Sequence, residues 1–314
     1  MDKPFKTLDE QVELLRSRGV SCGSHARQLL LREGYYAVVN GYRLPFVDPV
    51  ATRRAGDDRF LPGTRLDDVH ALFCFDRELR ATTFYRLMSI EGLMRSVLSY
   101  VFCNRHRQTE AYLRPQSYSR QRDYLRGEAS FEGDLEWMIN TLEHHARGVE
   151  AQGEAASHGV ADQRNGAMDV RVAHYRQNYD GVPLWVLFNE LTFGNLKYFY
   201  ALMRREEQEE VTSRLWEACE REGTSPLTRR GVFHDLEELV AVRNTCAHGE
   251  RLYDFSSEES GHLSYAELLG VLDRYLTPSE GARLVSEVRA LAERYLREHP
   301  RLERTLRASV LGRD

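Results

Sequence analysis

The sequence contains no C-x-x-C pair, no long apolar run, no glycine-rich phosphate loop, no internal repeat and no stretch of strand-like alternation. Its five cysteines, Cys22, Cys74, Cys103, Cys219 and Cys246, are scattered and odd in number. That argues against a disulfide framework and a zinc site, and fits a reducing cytoplasm. A membrane-spanning helix needs a run of roughly 20 apolar residues, which the chain lacks. The opening MDKPFKTLDEQ is polar from its second residue, so no secretory leader is expected. A net charge of −5 excludes a globally basic nucleic-acid coat, and any RNA binding must be local. No cofactor and no metal are implied. What remains is an all-α fold.

With 314 residues and 42% apolar content, the chain can bury one large core or two packed helical lobes. Thr7-Leu8-Asp9-Glu10 reads as a capping box for a short helix that carries Val12, Leu14 and Leu15 to Gly19. A second helix is expected from Ser24 to Glu33, ending at Gly34. The run YYAVVNGYRLPF, residues 35–46, is read as core packing, with a base-stacking platform as the alternative. Thr64 and Asp68 are expected to cap a long helix whose stripe is Leu66, Val69, Leu72, Phe73, Leu79, Leu87, Met94 and Val101.

Residues 104–126, with Tyr112, Tyr118 and Tyr124 among arginines, read as a loop able to touch RNA. A helix follows over Leu135–Ala146. Residues 148–167 are too poor in apolar side chains to order themselves and read as a flexible insertion. Beyond them come a helical segment over 174–203, with Gly194 permitting close helix approach, and an amphipathic, heavily charged helix over 206–222 whose charges read as a solvated face. Two closing helices, over 264–276 and 279–298, end the chain. The expected organisation is an N-terminal helical region, 1–60, and a helical core, 61–147 and 168–314, interrupted by the insertion.

The chemistry concentrates in AVRNTCAHGERLYDF, residues 241–255. Phe233, Leu236, Leu239 and Val240 set a helical apolar stripe. The next positions on that face are Arg243 and Asn244, then Ala247 and His248, then Arg251. Polar groups therefore occupy a seam where leucine or valine would pack. Burying an unpaired cation or imidazole is costly, so the seam is either a satisfied buried network or a site facing a cleft or an interface. Glu91 sits near the long helix's stripe with Arg95 one turn on. The two form an ordinary i,i+4 salt bridge, or else Glu91 reaches Arg243 and fixes its guanidinium.

Arg243, four intervening residues and His248, with Asn244 directly after the arginine, resemble the Arg-x4-6-His signature of HEPN-superfamily ribonucleases. The longer string RNTCAHGERLY is similar to the version carried by the Abi-like family of bacterial abortive-infection proteins, the AbiD/AbiF type. KPFKTLDEQVELLRSRGV, YY…GYRLPF, the helix FDRELRATTFYRLMSIEGLMRSVLSYVF with its glutamate, and HYRQNYDGVPLWVLFNELTFGNLKYFYALM also resemble that family. The resemblance implies a HEPN-like helical bundle with extra N-terminal helices. It implies phage defence by abortive infection through RNA cleavage, with a structured noncoding RNA as a possible partner.

Metal-free RNA cleavage requires one group to take the ribose 2′-hydroxyl proton and another to protonate the leaving 5′-oxygen. The motif supplies one histidine per chain; His70, His234 and His262 lie in other segments. A two-fold homodimer makes up the shortage. In this scheme His248 moves protons, Arg243 holds the phosphate, and Asn244 orients the imidazole or the phosphate. Glu91 and Arg95 support the arginine, and Arg251 and Tyr253 extend a cationic, aromatic RNA path. The competing class is a non-catalytic module that binds RNA or a protein partner.

Overall fold

The computed structural model describes residues 4–147, 170–255 and 264–312. Their regular elements are all helices, and no strand is present among them. The insertion expected at 148–167 lies outside the described residues. The described residues fall into two compact units. One draws on Met1–Tyr85, Val242–Gly270 and Ala282–Asp314; the other draws on Arg86–Ala241 and Val271–Gly281. The N-terminal region 1–60 is thus part of a larger unit that also holds the end of the motif.

In the first unit, the helix Leu8–Ser17 starts at the expected capping box. The Thr7 hydroxyl accepts the Glu10 N–H at 3.3 Å, and the Glu10 carboxylate accepts the Thr7 N–H at 2.7 Å. Its apolar face buries Val12 and Leu15. The helix Ala26–Glu33 stops at Gly34, whose φ of +83° is the left-handed conformation that glycine adopts without strain. The aromatic run then makes one turn of π-helix, Tyr36–Asn40, and a 3-10 turn, Leu44–Phe46. Tyr42, Phe46, Val38 and Val39 are core, as expected, but Tyr36 is 79% exposed.

The long helix Leu66–Arg105 runs for 40 residues. Its first part gives the first unit the buried row Leu66, Val69, Leu72, Phe75 and Leu79. The expected cap is corrected. The Thr64 hydroxyl donates to the Leu61 carbonyl at 2.7 Å rather than receiving a helix N–H. Asp68 is fully buried and bonded by Arg65 at 2.8 Å and His299 at 3.2 Å, which ties the start of this helix to the chain's C-terminal end. Further along, Glu78 accepts the Tyr295 hydroxyl at 2.8 Å and pairs with Arg294, while Phe75 packs edge-on against Tyr295.

The second unit is built on the rest of that helix, with Leu87, Met94, Leu98 and Val101 buried. The helices Phe131–Arg147, Phe193–Leu202 and Arg205–Ala218 complete it with the start of the motif helix. In the stretch 104–126 the tyrosines face inward, since Tyr112, Tyr118 and Tyr124 are buried, while Arg107, Arg114, Arg120 and Arg122 are exposed. The tyrosine hydroxyls bond to the Val182 carbonyl, the Tyr112 carbonyl and Asp134 at 2.8, 2.6 and 2.6 Å. The charged helix Arg205–Ala218 is amphipathic, with Val211 and Leu215 fully buried. Gln208 is buried and its amide donates to the carbonyls of Tyr200, Ala201 and Met203, satisfying the open end of the preceding helix. A Cβ on Gly194 would meet Val240 at 4.0 Å, an ordinary contact, so close helix approach does not require that glycine.

Candidate functional site

The motif helix is Arg229–His248. Val232, Leu236, Leu239 and Val242 are fully buried and Thr245 nearly so, which makes the upstream stripe a core face. Arg243 and Asn244 are half-buried, and His248 is exposed. An Arg243 Nη1–H donates to Asn244 Oδ1 at 3.4 Å. Asn244 and His248 are four residues apart on one helix and share a face. Between them, burial pushes the Cys246 thiol up to about 12, so it stays protonated and is no nucleophile.

His248 is the last helical residue, because Gly249 takes a φ of +73° and turns the chain out of the helix. The expectation that Arg251 continues the helical face is therefore corrected. Its guanidinium lies on the following turn, donating to the Gly41 carbonyl at 3.1 Å and pairing with Asp254 at 3.4 Å. Tyr253 was expected on an RNA-facing surface but is 2% exposed, and its ring stacks on Tyr42 at 5.9 Å between centroids.

The turn after the motif is held by a residue that sequence reasoning passed over. Asp76, fully buried on the long helix, accepts the backbone N–H of Tyr253 at 2.7 Å and that of Leu252 at 3.1 Å. It also accepts the Tyr42 hydroxyl at 2.7 Å and pairs with Arg80. Arg80 Nη1 donates in turn to the Tyr42 hydroxyl at 3.0 Å and to the Glu250 carbonyl at 3.1 Å. Burial pushes the Asp76 carboxyl up, while Arg80, the Tyr42 hydroxyl and the two backbone N–H groups act against that shift. A carboxylate taken out of water survives only with partners of this quality. The signal in the sequence was an acid on an apolar stripe with an arginine one turn on, the pattern that singled out Glu91 and Arg95.

Glu91 and Arg95 are paired in the second unit, and Glu91 is 2% exposed. Arg95 also donates to the carbonyls of Phe188 and Leu191 at 2.9 and 3.0 Å, clamping the turn between two short helices. Arg243, Asn244, His248 and Arg251 belong to the first unit, on one helix and its following turn, and Glu91 and Arg95 belong to the second. His70 is half-buried against Cys74 and Phe73, and burial lowers its pKa. His234 is exposed and bonded to Glu237 at 3.2 Å. His262 lies outside the described residues.

An all-α protein whose longest helix carries a buried acid–arginine anchor, and whose motif helix ends in an Arg-Asn-x3-His face, is the class that the geometry defines. A family model described as Abi-like protein matches residues 28–254, which include all of these residues. The chain belongs to the Abi-like family. No curated protein and no solved structure matches it. Membership suggests a place in abortive infection, a phage-defence response. Among the described residues no helix is long and apolar enough to cross a membrane.

Proposed function

We propose that the protein is a metal-independent endoribonuclease of the HEPN type that arrests growth in phage-infected cells. The observation that carries this reading is the Arg243-Asn244-x3-His248 face at the end of a helix whose next turn is pinned from inside by Asp76. A site that moves protons needs an imidazole in reach of a polymer and a backbone that does not yield. Exposed His248 supplies the first and the Asp76 network the second.

In the reaction, a base takes the ribose 2′-hydroxyl proton as the 2′-oxygen forms a bond to phosphorus. The bond from phosphorus to the 5′-oxygen breaks, and an acid gives that oxygen its proton. Arg243 holds the non-bridging oxygens, on which charge builds as five ligands gather round phosphorus. Asn244 orients the imidazole or the phosphate, and Arg251 adds a cation on the next turn. Two copies of His248 across a homodimer serve as base and acid. The products carry 2′,3′-cyclic phosphate and 5′-hydroxyl ends.

The test is incubation of the purified protein, in EDTA, with total RNA from phage-infected cells, followed by end-group mapping. Cyclic phosphate and 5′-hydroxyl ends are expected, and a 2′-deoxy substitution at a mapped site should abolish cutting there. Absence of cutting, or cutting that survives the 2′-deoxy substitution, overturns the proposal.

A further inference from the structure

Beside the end of the motif helix, the first unit holds a cleft of about 520 Å3. A pocket of this size is ample for a small planar ligand. Its walls come from the π-helical turn and the residues after it, from Phe73 on the long helix, and from Thr245 and the turn 249–255. Thr245 and Gly249 are the chain neighbours of Asn244 and His248.

Three features give the cleft a chemical character. Tyr36 lies on it with 79% of its surface in solvent, although Val38 and Val39 in the same turn are buried. A single π-helical turn is the kind of backbone irregularity that clusters at functional sites. Asp254 lines the same cleft with 29% of its side chain in solvent; its Oδ1 is buried, and its Oδ2 pairs with Arg251 at 3.4 Å. Asn40 and Glu250 add an amide and a second carboxylate to the lining, and Arg251, the one cation among its described residues, is committed to Gly41 and Asp254.

An exposed aromatic face beside carboxylates suits a flat ring that carries an amino donor. Adenine, cytosine and guanine present such a group, at N6, N4 and N2. Uracil offers one N–H between two carbonyl oxygens and would set those oxygens against Asp254 and Glu250. Single-stranded RNA is commonly read in this way, by stacking on aromatic side chains and hydrogen bonding at base edges.

We propose that this cleft is a nucleobase subsite that accepts a base with an exocyclic amino group, adenine, cytosine or guanine, and disfavours uracil next to the phosphate held by the motif. The proposal rests on the ribonuclease reading for its substrate class. Tyr36 stacks on the base, Asp254 accepts its exocyclic amino group, and Arg251 positions Asp254.

The experiment measures affinities of the full chain carrying His248→Ala, which prevents cutting, for the 12-nucleotide homopolymers of A, C and U. The A and C polymers should bind about 10-fold tighter than U, the discrimination expected of a good base-edge contact. Tyr36→Ala should weaken binding of all three polymers by about 10-fold, as loss of a stacking platform does, whereas Tyr36→Phe should not. Asp254→Asn, close in shape and folded by thermal melting, should remove the preference while retaining most affinity for U. Equal affinity for the three polymers, a preference that survives Asp254→Asn, or no binding to any of them overturns the subsite. If wild type cuts no RNA yet the preference appears and answers to Asp254, the ribonuclease reading fails and the subsite stands. If wild type cuts and no preference appears, the reverse holds.

Discussion

Asp76 Oδ1 accepts the Tyr253 N–H at 2.7 Å, joining two residues 177 positions apart. The same carboxylate holds Leu252, Tyr42 and Arg80, so one buried side chain sets the path of the turn that follows His248. The turn has two backbone bonds of its own, from the Glu250 N–H to the Thr245 carbonyl at 3.0 Å and from the Phe255 N–H to the Leu252 carbonyl at 3.1 Å, and the anchor takes up the Leu252 and Tyr253 N–H groups.

Asp76→Ala should cost about 3–5 kcal/mol in urea unfolding, because it strands the buried Arg80 guanidinium and two backbone donors. Asp76→Asn keeps the shape and one acceptor and should cost less, about 1–3 kcal/mol. In the asparagine variant cleavage should fall more than stability does, since Arg251 loses its fixed place. A variant with wild-type melting and wild-type activity would show that the turn holds itself.

What was legible in the sequence was the local chemistry. The Thr7 capping box, the stripe from Leu66 to Val101 and the apolar face of the motif helix follow from spacing alone, and the structure has them where spacing puts them. The family was legible too, because its strings are long. What spacing could not give was termination and long-range pairing. Arg251 fits a helical face on paper, but Gly249 ends the helix two residues earlier at a cost that Gly alone avoids. Asp76 stands out as an acid on an apolar stripe, but not its bond to Tyr253, and Glu207 looks like a solvated helix charge until His106 is brought to it; both partners are more than 100 positions away.

The buried pair in the second unit makes stability depend on pH. His106 Nε2 and Glu207 Oε1 are 2.6 Å apart, and burial pushes the Glu207 carboxyl up to about 7 while it lowers the His106 imidazole. A carboxyl whose folded pKa is raised binds more protons folded than unfolded between its ordinary value and about 7, so its contribution is lost as pH rises through that range. His106 has the opposite slope below its ordinary value. Glu207→Gln removes only the first effect. Between pH 6 and pH 8 the variant should gain about 1 kcal/mol relative to wild type, and parallel wild-type and variant curves would show that Glu207 does not titrate there.

The proposed reaction needs two imidazoles, and each chain's motif offers one. Sedimentation velocity at micromolar concentration should therefore give a dimer, and specific activity should fall on dilution below its dissociation constant. A monomer that cuts RNA at the full rate would require a second proton-transfer group within one chain, and the homodimer arrangement would be wrong.

The decisive comparison is between His248→Ala and Arg243→Ala, because it separates catalysis from binding. Loss of a general acid or base lowers a rate by about 10²–10⁴, whereas RNA affinity is spread over many phosphate contacts. His248 is exposed at the helix end, so its removal leaves no cavity and should not alter melting. His248→Ala should then abolish EDTA-resistant cleavage and toxicity on expression, with RNA affinity nearly unchanged. Arg243→Ala should also lose cleavage, with a modest loss of affinity from one missing cation and a shallower salt dependence by about one charge. If His248→Ala stays as toxic as wild type, the protein acts by holding RNA or a partner and the histidine has no proton to move.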